Sequence, residues 1–173
     1  SNSGSNPGRS TTYLYRWKTK SVCGDRMRLI VAYTGSGKHP VSSIHDLSPH
    51  EATGNALHIG RNLPDRQNNK IHVPDQHVSR DQWKLTFDGG KPHLEDLESS
   101  HGTFVNGKQV IAAKIGGTID LQHGAVVSTS PRSDGSFRLH LILDREGTLA
   151  HLIDPKQLEK YLKKQNAGPK EAQ

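Results

Sequence analysis

The chain has 173 residues, 31% of them hydrophobic and 5% aromatic, and even with its 17 glycines it stays below the roughly 45 to 50% apolar share of an ordinary globular chain, which points to one domain with unpacked tails. No window approaches the roughly 18 uninterrupted apolar residues of a membrane helix, and the single Cys23 excludes an intrachain disulfide, so cytosol or nucleus is the default compartment. The formal charge of +6 is concentrated at the front, where residues 1–54 carry seven basic and three acidic side chains, against ten and nine in residues 55–143 and six and five in residues 144–173. A groove built for a phosphate backbone should gather charge where the motifs are, so nucleic acid is the less favoured partner.

Residues 1–11 read as a disordered linker or an artificial end, with no apolar centre of a signal peptide. From Thr12 the pattern has period two: Tyr13, Tyr15 and Trp17, then Met27, Leu29, Val31 and Tyr33, each alternating with a second set. Residues 34–54, with Gly35, Gly37, Pro40, Pro49 and Gly54, read as a long surface loop. Further strands are expected at 56–59, 70–73, 82–87 (Trp83, Leu85 and Phe87 on one face), 93–97, 103–105, 118–121, 125–128 and 137–143. Glycine turns at Asp88-Gly89-Gly90, Asn106-Gly107, Gly116-Gly117, His123-Gly124 and Asp134-Gly135-Ser136 separate them. Ten to eleven short strands with such turns predict an all-β fold, a two-sheet antiparallel sandwich.

The C-terminal stretch, residues 151–173, predicts a short helix and a tail. Asp154 fits the N-cap, Pro155 the first helical position and Gln157 the returning member of a capping box, with Ile153 and Leu158 as a hydrophobic staple. Leu158, Tyr161 and Leu162 share a face that should rest on the sandwich.

The chemistry lies in residues 57–107. Leu57-His58-Ile59-Gly60-Arg61 ends one strand, Val78-Ser79-Arg80-Asp81-Gln82-Trp83 begins another, and Leu94-Glu95-Asp96-Leu97-Glu98-Ser99-Ser100-His101-Gly102-Thr103-Phe104-Val105-Asn106-Gly107 follows. An arginine at a strand end supplies a rigid fork of donors, serines supply neutral donors, and glycines let backbone N–H groups turn toward one point. Together they suit a dianionic phosphate, and none is set up to break its ester.

At these residues the sequence resembles the forkhead-associated (FHA) domain, a phosphothreonine-binding module built as a sandwich of two β-sheets with binding loops at one end. The resemblance covers residues 55–143 closely and reaches back to Thr12, so that 12–150 would be the domain. It implies that Arg61 and Ser79 bind phosphate, that Arg80 adds charge or holds the peptide backbone, and that Ser100 and His101 contact the phosphothreonine and the peptide main chain. Asn106 would brace the loops or touch the peptide, while Gly60, Gly102 and Gly107 shape the backbone and Thr103 packs or hydrogen-bonds internally. The departure is Gln82, where the family usually has a histidine that braces the loops; glutamine also offers a donor and an acceptor.

The implied function is a non-catalytic reader of a phosphothreonine-containing partner protein, a monomeric domain of a larger protein, without cofactor and without membrane attachment. The nucleus is favoured by the resemblance alone. The rival reading is a degenerate scaffold assembling without phosphate, and a nucleic-acid module using the basic front comes behind it. Ser79 as a nucleophile would need a base and an orienting acid, for which His77 two residues away is thin support. The 11 histidines include no pair at the i, i+4 spacing of a helical zinc motif, so no metal is expected. Gly35-Ser36-Gly37-Lys38 lacks the first glycine and the final Ser or Thr of a nucleotide-binding phosphate loop.

Overall fold

Alternation resolves into strands wherever one side chain in two finds an apolar neighbour. The computed structural model describes residues 26–34, 42–61, 69–130 and 138–167, so the strand expected around Tyr13, Tyr15 and Trp17 and the residues 1–11 lie outside them. Strand β1 is Arg28–Thr34, followed by β2 (Ser43–Asp46), a six-residue helix α1 (Ser48–Thr53), β3 (Leu57–Gly60), β4 (Lys70–His72), β5 (Trp83–Asp88) and β6 (Lys91–Asp96). Then come β7 (Thr103–Val105), β8 (Lys108–Ile111), β9 (Gly117–Asp120), β10 (Val126–Ser128), β11 (Arg138–Asp144), a 3-10 turn (Ala150–Ile153) and helix α2 (Pro155–Ala167).

The strands form two sheets, ordered β2-β1-β11-β10-β7-β8 and β4-β3-β5-β6-β9. Between them lies the main core, in which Leu29 and Val31 of β1 and Leu139, Leu141 and Leu143 of β11 meet Leu57, Ile59, Trp83, Leu85 and Leu94 of the second sheet. Trp83 and Leu85 are fully buried and Phe87 packs against the core edge, as the period-two pattern of that strand requires. The opposite row of β1 and β11, with Ile30, Ala32 and Ile142, is apolar too, because it faces Leu152 of the 3-10 turn and Leu158 and Leu162 of α2. A sheet buried on both faces reads as a continuous apolar run, and Leu29-Ile30-Val31-Ala32 is one.

Three expectations change. The stretch read as a loop over 34–54 contains β2, which pairs antiparallel with β1, and α1. Only Ile44 is apolar in the four residues of β2, too short a period to see, whereas Pro49 at the start of α1 and Gly54 at φ 75° beyond its end are a helix start and stop written in residues taken for loop formers. Strand β8 was hidden because it is an edge strand that buries only Ile111. The sandwich is also not wholly antiparallel, since β3 and β4 run parallel, His58 opposite Lys70 and Gly60 opposite His72.

Helix α2 is capped by Asp154, whose Oδ1 accepts the backbone N–H of Lys156 at 2.9 Å. Ile153, expected to staple against Leu158, is instead 40% exposed while Leu158 is buried. Tyr161 fastens the helix by donating its hydroxyl to the Gly124 carbonyl at 2.6 Å. Burial and the nearby Asp144 carboxylate push the Tyr161 phenol above its ordinary range. At the far end of the apolar row, Asp144 is itself fully buried, held by Arg28 Nη2 at 3.1 Å and by the backbone N–H groups of Thr148 and Leu149 at 2.8 and 3.2 Å. Among the described residues no helix is long and apolar enough to cross a membrane.

Candidate functional site

The end of β3, the 73–82 segment before β5 and the 97–102 segment after β6 converge at one end of the second sheet. Gly60 is where they touch. A Cβ there would overlap the Arg80 carbonyl oxygen, so glycine lets β3 run against the next loop without displacing it. Backbone bonds secure the approach: Arg61 N–H donates to Ser79 O at 3.0 Å and Gln82 N–H to Ile59 O at 3.0 Å.

Arg61 is half-buried and aimed by its own side chain. Its Nε–H donates to the Val78 carbonyl at 3.0 Å, which sets the guanidinium plane. Both Nη groups are then without a partner among the described residues, two parallel donors of the kind that grip an oxyanion bidentately. Ser79 and Ser100 meet across the two loops, the Ser100 backbone N–H donating to Ser79 Oγ at 3.0 Å and the two hydroxyls lying 3.4 Å apart. Arg80 is exposed on the same loop, and Asp81 turns away to His58, 3.4 Å from its Nδ1.

Gln82 is completely buried and connects the loops. Its Oε1 accepts the Ser79 backbone N–H at 2.7 Å, and its Nε2 donates to the Gly102 carbonyl at 3.5 Å. The acceptor end of the carboxamide therefore holds one loop and the donor end the other. Gly102, at φ 80°, is a left-handed turn in which a Cβ would strike the Ile111 carbonyl. Beneath it lies a chain of buried polar groups. Asp96 Oδ1 accepts the Ser99 N–H at 2.7 Å, and Oδ2 accepts the hydroxyls of Ser99 at 2.7 Å and Thr103 at 2.6 Å. Thr103 in turn accepts Trp83 Nε1–H at 2.9 Å, and Ser99 Oγ accepts the Gly102 N–H at 3.1 Å. Every member is at most 2% exposed, apart from Gly102, which is likewise buried. Such a network fixes directions as well as distances, because each group left unpaired in a dry interior costs more than its bond contributes.

His101 is exposed next to Ser100, its carbonyl held by Gln109 Nε2 at 3.3 Å. Asn106 and Gly107, at φ 53° and 84°, form the two-residue turn between β7 and β8. The Asn106 carboxamide oxygen accepts the Val126 N–H at 3.0 Å, tying that hairpin to β10. The structure thus gathers Arg61, Ser79, Ser100 and His101 on one rim, puts Gln82, Gly102 and Thr103 beneath it, and uses Asn106 as a brace between strands. Asp65, the neighbour that would neutralise Arg61 in a purely structural role, lies outside the described residues.

Sequence reasoning assigned no role to Asp96 or Ser99, though both stand within the quoted motif. Their signal is the Asp-x-x-Ser spacing, at which a carboxylate can accept the N–H three residues on. Asp75 and His77 were also missed as a pair, although one residue separates them.

Residues 57–129 match the family model described as FHA domain. No curated protein matches the chain. Among solved structures the chain is similar to the FhaA FHA domain complexed with the intracellular domain of Rv3910, with 25% identity, 68% of this chain and 98% of that one covered, and a TM-score of 0.42. It is similar to an FHA structure from a study of phosphothreonine-dependent FHA domain interactions, with 24% identity, coverages of 68% and 95% and a TM-score of 0.43. Full-length yeast Pml1p follows with 22% identity, coverages of 69% and 83% and a TM-score of 0.47.

Proposed function

We propose, from the premise that residues 57–129 of this chain belong to the FHA family, that the loop rim is a receptor for a phosphothreonine-containing segment of another protein. The observation that carries the reading is the Arg61 side chain, plane-locked by Val78 O and with both Nη groups without a partner among the described residues, on the same rim as the Ser79–Ser100 contact. A phosphate seated there would receive two guanidinium donors and serine hydroxyls, charge-assisted bonds about twice as strong as neutral ones. Neighbouring peptide residues would then lie along Arg80 and His101. The Gln82 bridge supports this reading over a degenerate scaffold, since it holds the loops on which the rim depends. In this reading the module holds its ligand and does not transform it. We place it within a larger protein of the nucleus or cytosol, a location that rests on family resemblance.

The test is calorimetry with one peptide in three forms, carrying phosphothreonine, phosphoserine or plain threonine. The first should bind best, the extra methyl contributing on the order of 0.8 kcal/mol if it is buried. The Arg61→Ala variant should lose about 2 to 5 kcal/mol of binding while keeping its melting temperature. Unchanged affinity in a folded Arg61→Ala protein sinks the assignment, and equal capture of plain threonine favours the scaffold instead.

A further inference from the structure

Helix α2 buries Leu158 and Leu162 against the first sheet and turns Lys156, Lys160, Lys163 and Lys164 to solvent. Lys156, Lys160 and Lys164 stand four residues apart, so they share one face in a stripe roughly 12 Å long. Lys163 pairs with Glu159 at 3.2 Å, whereas among the described residues Lys156, Lys160 and Lys164 have no ion-pair partner. Like charges at this spacing repel, which weakens the helix they stand on. Lys156 adds a second cost. It lies in the first turn, where the helix dipole favours an anion, and no acidic residue of α2 occupies that turn. The dipole accounts for Lys164 in the last turn and not for the rest of the stripe.

The net charge of the segment conceals this arrangement. Residues 144–173 carry six basic and five acidic side chains, yet the described acids are committed elsewhere. Asp144 is buried against Arg28, Glu146 lies 3.7 Å from His123, Asp154 caps α2 and Glu159 holds Lys163. The stripe also continues past the helix. Gln165 and Asn106 line one cavity, so the end of α2 lies beside the Asn106–Gly107 turn. The next residue, Lys108, is exposed and likewise without an ion pair among the described residues. Strand β7 begins at the rim with Thr103 and ends at Val105, so that turn and the end of α2 beside it lie away from the rim.

We propose that this band of lysines is a second binding surface, for the phosphate backbone of double-stranded nucleic acid. Repulsion along the stripe is relieved when each cation meets a phosphate, and the counterions released from the duplex drive association. The exposed residues of α2 include no aromatic side chain and no arginine, the anchors in which protein interfaces concentrate their binding energy. A polyanion needs no such anchor. Lysines are flexible point charges without a bidentate fork, so they grip the backbone and leave the base sequence unread. The surface shares no residue with the rim, and the inference stands apart from the phosphopeptide reading. One chain could hold a ligand at each.

The experiment titrates the full chain into a short fluorescent DNA duplex of mixed sequence, followed by anisotropy between about 50 and 200 mM salt, with fluorescent polyglutamate as a second probe. Four lysines engaging one phosphate each give a slope of log affinity against log salt of about −3.6, steeper if the basic front joins them. Replacing three of them together, Lys156→Gln, Lys160→Gln and Lys164→Gln, should weaken binding and flatten the slope by roughly 2.7, three contacts at about 0.9 each. Lys108→Gln alone should flatten it by about 0.9. All four side chains are exposed, so both variants should melt close to the wild type. No duplex binding at the lowest salt overturns the proposal. So does a slope that the triple replacement leaves unchanged, which would move the contact to the basic front. Tighter capture of polyglutamate than of the duplex also overturns it and gives the band to an acidic protein.

Discussion

Beneath the rim loops, Trp83, Thr103, Asp96, Ser99, Gly102, Gln82 and Ser79 are joined by directional hydrogen bonds, whereas beneath helix α2 the residues Ile30, Ala32, Val126, Ile142, Leu152, Leu158 and Leu162 meet through apolar contact. Both regions are buried, apart from Ser79 at the rim. They differ in what a single change does. An apolar seam loses area and leaves a cavity that its neighbours partly close, while a polar network loses the partner of every group the missing residue held. The seam sets where the helix lies. The network sets where individual atoms of the rim lie, and the proposed phosphate receptor would need the second kind of control.

The contrast breaks first at Asp96. Asp96→Ala orphans two hydroxyls and a backbone N–H at once, and we expect a loss of about 3 to 5 kcal/mol in a denaturant melt together with loss of phosphopeptide capture. If capture survives in the folded variant, the network does not position the rim. Leu158→Ala, in the seam, should cost about 3 kcal/mol of stability. Its phosphopeptide affinity, measured at a temperature where the protein is folded, should match the wild type; a large fall would show that the two regions are coupled.

An acid titration sharpens the picture of the seam. His140 lies on the α2 side of β11, bonded to Thr34 Oγ1 at 3.1 Å, and burial, helped by Arg138, lowers its pKa to about 4. An unfolded histidine takes its proton near pH 6.5, so between about pH 6.5 and 4 the unfolded chain binds more protons. The resulting stability is complete above that window and lost on acidification through it, by up to roughly 3 kcal/mol at its acid end. His140→Gln should flatten the difference between melts at pH 7 and 4.5, and an unaltered difference removes His140 as its source. The smallest effect belongs to Gln82. Gln82→Ala should cost about 2 kcal/mol and weaken peptide binding, while Gln82→His should be tolerated, since a neutral imidazole offers one donor and one acceptor. A silent Gln82→Ala would refute the bridge.

Much of this contrast was legible in the residues, though unevenly. The sandwich follows from strands such as Trp83-Lys84-Leu85-Thr86-Phe87, whose alternation declares one buried face, and from the Asn106-Gly107 turn, whose chemistry demands positive φ. The seam was half visible, because Leu158 and Leu162 announce a buried helix face but not which strands receive it. Parallel pairing of β3 and β4 left no trace, since alternation is the same whichever way a neighbour runs. The rim residues Arg61, Ser79 and Ser100 stood out as donors, but their bridging bonds depend on loop geometry that no spacing encodes. His77 was weighed only as a base for Ser79. Its orientation by Asp75, whose Oδ1 lies 3.3 Å from the ring Nδ1, needed the depth at which that carboxylate is buried.

The pairing of β1 with β11 has a consequence for how the chain is made. Arg28 and Asp144, linked at 3.1 Å at one end of that pairing, are 116 residues apart in sequence, and the family match over 57–129 includes neither strand. A ribosome adding roughly 5 to 20 residues per second would hold β1 without its main neighbour for several seconds to tens of seconds. During that interval Leu29, Ile30, Val31 and Ala32, apolar on both faces, form an open β-edge of the kind that recruits other chains. The nascent protein is therefore most exposed to misassembly while the loops of the proposed receptor already exist as polypeptide, and it is β11, the last strand among the described residues, that ends the risk.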